Sequence, residues 1–200
     1  MTETAAHPTA TTSVPVHELI STRWSPRALD PAAEVSDTQL RALFEAARWA
    51  ASWGNTQPAR FLLGRRGDET FAKITDTLTE GNKRWASASA ALILGIAVTE
   101  LEEGKPMPYA EYGLGLAAQN LVLQAVSEGL VAHQMAGFSR PGAKAVFSLP
   151  EQLDPVVVIS VGRLADPATA DPRLLERDAR PRTRKALDEL VFTEWGEPAF

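Results

Sequence analysis

A chain of 200 residues is long enough for one large domain, or two small ones, with a sizeable buried core. Its hydrophobic fraction of 44% and charged fraction of 22% are those of a soluble globular protein, and a formal net charge of -5 argues against nucleic acid or an anionic membrane as the main partner. The absence of cysteine excludes disulfides, thiolate chemistry and zinc–cysteine clusters, and suits a reducing cytoplasm.

Residues 1–12 are rich in Thr and Ala without an apolar run or an early basic charge. They read as a disordered tail and not as a signal peptide, which leaves 13–200 as one domain. Ser13 and Pro15 predict a short helix over 13–22. Ser36 and Gln39 form a capping box for a helix over 36–51, in which Leu40, Leu43, Phe44 and Ala47 recur at helical spacing. Gly54, Asn55 and Pro58 break the chain into a loop over 52–58, ahead of a short strand at Phe61, Leu62 and Leu63 and a surface helix over 68–78. The apolar run 91–98 predicts a buried central strand, and the stretch 86–98 around it contains serines and is too short to span a bilayer. Glu100, Glu102 and Glu103 read as a solvated loop. The longest helix, over 109–128, is apolar nearly all round and so is buried against several partners, a second subunit among the candidates. A strand over 131–137, a capped helix over 139–147 and a strand over 156–161 follow, and beyond Gly162 the chain is polar and Pro-rich with a last helix around 185–191.

Arg23-Trp24-Ser25-Pro26-Arg27 is the most informative segment. Pro26 pushes Ser25 out of the helical region, and alternate side chains of an extended stretch point the same way, so Arg23, Ser25 and Arg27 share a side. Two guanidinium forks and a hydroxyl suit a phosphate, and the alternate pair Arg182 and Arg184 could reach the same anion; a solvated basic turn has the same spacing. Gly113-Leu114-Gly115-Leu116-Ala117-Ala118 matches a dinucleotide-binding fingerprint, but Pro106 and Pro108 stand where its strand belongs and no acid lies twenty residues on, so close helix packing is the better account. His7, His17 and His133 do not cluster at ligand spacing, which predicts no metal site, and no G-x-S-x-G elbow supports a serine hydrolase. The loop Ser52-Trp53-Gly54-Asn55-Thr56-Gln57-Pro58 offers hydrogen bonds to a polyhydroxylated ligand, although taken alone a turn whose Ser and Asn bond their own backbone is the favoured account. Asn82, in Gly81-Asn82-Lys83-Arg84-Trp85, is as ambiguous.

In chain order these pieces resemble the nitroreductase family of FMN-dependent oxidoreductases. Arg23, Ser25 and Arg27 match its Arg-x-Ser-x-Arg/Lys segment, and Ser52, Asn55, Gln57 and Pro58 match its Pro-Ser-x-x-Asn-x-Gln-Pro-aromatic loop. Asn82 before Trp85, the helix around Gly115-Leu116-Ala117-Ala118-Gln119-Asn120-Leu121, the segment Gln134-Met135-Ala136-Gly137-Phe138 and the pair Arg182 and Arg184 follow in register. Ala51 and Ala59 depart from the loop's usual proline and aromatic, which puts substrate shape in doubt more than flavin binding.

The resemblance implies an α+β fold, a three-layer α/β/α sandwich with a mostly antiparallel central sheet, in an intertwined homodimer with FMN at the interface. It implies that Arg23, Arg182 and Arg184 hold the phosphate with Ser25 nearby, that Arg27 and Asn82 meet the pyrimidine edge, and that the backbone of Ala136 and Gly137 faces N5 and O4. Ser52 and Asn55 would come from the partner chain, and Trp24, Trp53, Gln134 and Met135 lie inside the matched segments. The implied reaction takes electrons from NAD(P)H to a small electron-poor acceptor by a ping-pong scheme, with no side chain as catalytic acid or base. Reduction of a small aldehyde or a halogenated compound, or flavin binding as a redox sensor, would use the same residues.

Overall fold

The computed structural model describes residues 9–101 and 104–200. The tail predicted over 1–12 thus lies mostly outside them, as do Glu102 and Glu103 of the acidic run, while the Ala10 N–H donates to the Ser21 carbonyl at 2.9 Å. Helix α1 (Glu18–Thr22) begins later than predicted because His17, not Ser13, caps it, its ring Nδ1 accepting from the Leu19 N–H. Helix α2 (Asp37–Arg48) has the predicted capping box, with both reciprocal bonds between Ser36 and Gln39 at 3.2 Å, and stops three residues short of 51.

Strand β1 (Ala59–Arg65) runs longer than the three apolar residues that announced it, since cross-strand pairing draws in Ala59, Arg60, Gly64 and Arg65. Helix α3 (Glu69–Thr77) is capped by Asp68, and helix α4 (Glu80–Ala86) follows it unannounced, because Gly81 and Asn82 are weak helix formers. Strand β2 (Ala91–Val98), helix α5 (Ala110–Ser127), strand β3 (Val131–Met135), helix α6 (Arg140–Val146) and strand β4 (Leu153–Gly162) complete the central body. Helix α7 (Pro172–Asp178) was hidden in the polar stretch, though Asp171 caps it and Pro172 opens it. The helix predicted around 185–191 is a single 3-10 turn, Leu187–Glu189, whose apolar side chains stay exposed and so gain no burial to support a longer helix. A hairpin of β5 (Phe192–Glu194) and β6 (Glu197–Pro198) ends the chain.

The main sheet has the order β1-β2-β4-β3, and each neighbouring pair is antiparallel. Pro155 sits in β4 where the register shifts at Gly95 and Ile96, the kind of irregularity that tolerates a residue without an N–H. Alternation along β2 divides the interior. Ala91 and Ile93 join Leu40, Leu43, Ala118 and Leu121 of α2 and α5 on one face. Leu92, Leu94 and Ile96 join Phe71, Ile74, Trp85 and Ala143 of α3, α4 and α6 on the other. Two helical layers therefore sandwich one sheet. A Cβ on Gly64 would stand 2.5 Å from the Phe71 Cα, so glycine alone lets β1 approach α3. Gly113 meets Pro58 in the same way, at 2.7 Å from its Cγ, whereas a Cβ on Gly115 would meet open space, so close packing accounts for the first glycine of the false dinucleotide motif and not the second. Among the described residues no helix is long and apolar enough to cross a membrane.

Candidate functional site

At the end of α1 the chain turns extended at Arg23 (φ -61°, ψ 123°) and passes along a cleft of about 340 Å³. Five arginines line it, Arg23, Arg177, Arg180, Arg182 and Arg184, together with Trp24 and Ser25. Arg182 clamps the segment from below, donating to the carbonyls of Ser21 and Arg23 at 2.5 and 2.8 Å. Arg23 reaches Ser25 Oγ at 3.3 Å, and Arg184 bonds the Thr183 carbonyl at 2.7 Å. Burial, followed by the charges of Arg182 and Arg184, pulls the Arg23 pKa below its ordinary value; burial and then Arg184 do the same to Arg182. Like charges gathered in a half-buried cleft are unfavourable until an anion joins them. Asp178, the carboxylate among the described lining residues, is engaged by Arg177 at 2.6 Å and by two backbone N–H groups. Among the described residues the cleft thus gathers more cationic than anionic groups, a lining that suits an anion.

Arg23 and Ser25 converge as the spacing predicted, but Arg27 does not line this cleft. Its guanidinium lies 5.5 Å from the centre of the Trp85 ring, and its buried Nε has no hydrogen-bond partner. Burial first, then Arg177, lowers the Arg27 pKa, with Asp178 opposing. Trp85 lies against His133, ring centres 4.6 Å apart. The Pro26 carbonyl can only accept, so the His133 Nδ1–H donates to it, at 2.9 Å. Burial holds the imidazole pKa down to about 4, so it is neutral at pH 7. Considered from the sequence only as a metal ligand, His133 instead supports the arginine segment.

Asn82 and the 136–137 segment meet. Asn82 Nδ2 and the Thr79 N–H both donate to the Gly137 carbonyl at 3.0 Å. A Cβ at Gly137 would come within 2.5 Å of that Nδ2, so the contact requires glycine. Gln134 is exposed and reaches Gln119 at 3.4 Å, Ala136 is exposed, and the Met135 side chain is buried in the core, leaving only its backbone to face a ligand. Trp85 is thus in contact with both Arg27 and His133, and α4, which carries Trp85, also carries Asn82 to Gly137.

The loop at Ser52 lies elsewhere. Ser52 Oγ accepts from the Gln57 N–H at 3.1 Å, the self-bonded turn that its composition allowed. Gly54, Asn55 and Gln57 are left-handed (φ 53°, 58° and 48°), which presents Trp53 and Asn55 to solvent. Ser52 borders a separate cavity of about 200 Å³ beside Phe44, Pro58 and Gly113, with none of the cleft arginines. Within one chain the predicted residues fall into two places.

The sequence profile of the Nitroreductase family matches residues 20–91 and 79–163. The chain belongs to the nitroreductase family. A Streptomyces coelicolor protein with the provisional name NADH dehydrogenase/NAD(P)H nitroreductase is 31% identical over 168 residues, covering 72% of this chain and 82% of its own. The crystal structure of an oxidoreductase containing FMN superposes with a TM-score of 0.86 at 28% identity, over 95% of this chain and 97% of that one. The FMN complex of a provisionally named nitroreductase from Desulfovibrio desulfuricans gives 0.71 at 26% identity, over 92% and 98%. The α+β nitroreductase fold is thus shared along the chain. The family match ends before Arg177, Arg180, Arg182 and Arg184, so most of the arginine cleft comes from a stretch beyond the matched segment.

Proposed function

We propose that this nitroreductase-family chain binds FMN and passes electrons from NAD(P)H to an electron-poor small molecule such as a nitroaromatic or a quinone. The arginine cleft carries the reading. Five guanidinium groups gathered in a chain of net charge -5 suit a phosphate monoester, which takes paired, charge-assisted donors. The FMN and NAD(P)H in the names of the relatives support the same choice.

The residues fit that cofactor. Arg23, Arg182 and Arg184 would hold the phosphate with Ser25 Oγ and Trp24 beside it. Arg27, whose buried Nε lacks a partner, and Asn82 would take polar atoms of the flavin ring, with the backbone of 134–137 along its rim. Bound FMN supplies the two-electron chemistry that no side chain here offers. The chain's own part is to bind and orient the cofactor and to set Arg27 against the ring. Nicotinamide and acceptor would then use one cavity in turn. Initial rates against NAD(P)H at several fixed acceptor concentrations should give parallel double-reciprocal lines. Intersecting lines would mean two simultaneous sites, and a purified protein that takes up no FMN would end the flavin reading.

The functional unit in this reading is a homodimer. Ser52, Trp53 and Asn55 lie apart from the arginine cleft, and the same loop of a second copy would complete the site. Val14, Val16, Ile20, Leu187 and Leu190 are exposed around a groove of about 760 Å³ edged by Arg23, Arg182 and Arg184, surface that a second chain would cover. Sedimentation equilibrium should find a dimer wherever flavin stays bound, and a flavin-loaded monomer would remove the Ser52 loop from the site.

A further inference from the structure

We infer that Asp178 is a positioning residue: from the end of α7 it sets the conformation of residues 25–28, and through them the phosphate contacts, without itself meeting the ligand. The inference rests on the flavin reading. Asp178 is the last residue of α7, where a carboxylate faces the negative end of the helix dipole, and it is only 7% exposed. Something must offset that placement. Its Oδ2 accepts from the N–H groups of Arg27 and Ala28 at 2.7 and 2.8 Å, and its Oδ1 accepts from Arg177 Nη1 at 2.6 Å. The same Arg177 nitrogen donates to the Ser25 carbonyl at 3.1 Å. With His133 on the Pro26 carbonyl, four polar groups of the main chain are held by side chains 107 to 152 residues away.

A buried ion pair is a poor stabiliser compared with apolar packing of the same volume, so stability alone does not explain this arrangement. Register does. Residues 23–25 are presented to the cleft by an extended chain, and a rotation there would turn Ser25 and Arg23 away from it. Two adjacent amides on one carboxylate oxygen anchor the chain immediately beyond that stretch, at Arg27 and Ala28. Arg177, held by the other oxygen, fixes the Ser25 carbonyl from the opposite side.

The test uses apoprotein titrated with FMN and with riboflavin, which has the same ring and no phosphate, followed by quenching of flavin fluorescence. Asp178→Asn should reduce the preference for FMN over riboflavin about tenfold, the worth of one charge-assisted contact. General loosening would weaken both ligands alike and leave the ratio unchanged, which would overturn the inference. So would tighter FMN binding by the variant, since the carboxylate would then matter only as a nearby negative charge. Should Asp178→Asn fail to fold, Asp178→Glu decides. It keeps the charge but displaces it by a methylene, and is expected to lower the ratio about threefold, on the scale of a weakened hydrogen bond; an unchanged ratio overturns the inference. A wild type that prefers FMN while both variants match it refutes only the role of Asp178. A wild type that binds neither flavin refutes the flavin reading and this inference together.

Discussion

Purified Arg182→Ala protein is expected to hold about a tenth or less of the wild-type flavin at dilute concentration. Arg182 lines the cleft and also clamps the carbonyls of Ser21 and Arg23, so on the proposed reading its loss would remove a phosphate contact and free the segment bearing Arg23. One charge-assisted contact contributes about 1.5–3 kcal/mol, roughly ten- to a hundredfold in affinity, and loosening of Arg23 adds to it. Arg184 is more exposed and bonds the carbonyl of its neighbour Thr183, so Arg184→Ala should lose less. Lys73, paired with Glu69 on α3, serves as the control. Flavin content measured from the visible spectrum after dilution decides it, and full occupancy in both arginine variants would show that the phosphate is held elsewhere.

Acid should destabilise the fold through His133. Burial is the main cause of its low pKa; the Pro26 carbonyl and Asp178 oppose it, and Arg177 and Arg27 add to it. The folded value is about 4 and the ordinary one 6.5, so between these the unfolded chain binds the proton and the folded chain does not. Stability from this group is therefore complete above pH 6.5, falls as the pH drops toward 4, and changes no further below that. The full loss is about 3 kcal/mol, at 1.36 kcal/mol per pKa unit. His133→Gln keeps an N–H for Pro26 but does not titrate. Urea unfolding at pH 6.5, 5.5 and 4.5 should show a steeper decline for the wild type than for the variant. Equal slopes would mean that the imidazole takes up its proton inside the fold.

The elements legible in the sequence are those where a local signal and the tertiary demand agree. Ser36 with Gln39, Asp68 and Ser139 cap helices by bonds to their own next turn, and the run at 91–98 is apolar because both faces of β2 are covered. Helix α4 gives no such signal: Gly81 and Asn82 disfavour it locally, and Trp85 and Ala86 hold it by burial in the core. The site divides along the same line. Arg23, Ser25, Arg182 and Arg184 are visible from alternate spacing within short segments. Arg177, Asp178, Arg180 and His133 are invisible, because their significance lies in partners or neighbours that only the fold brings close. Arg27 shows the limit of spacing arguments. It alternates correctly, yet turns to Trp85 because that ring, and not the cleft, lies beneath it.

The lacing of residues 21–28 by residues 177–182 also sets an order of events during synthesis. All four strands of the main sheet end by residue 162, so they are synthesised, and leave the ribosome, ahead of the residues that close the cleft. The arginine cleft is unfinished until residue 184, a second or more later at about 5–20 residues per second. The newborn chain thus acquires its framework first and its grip on an anion last.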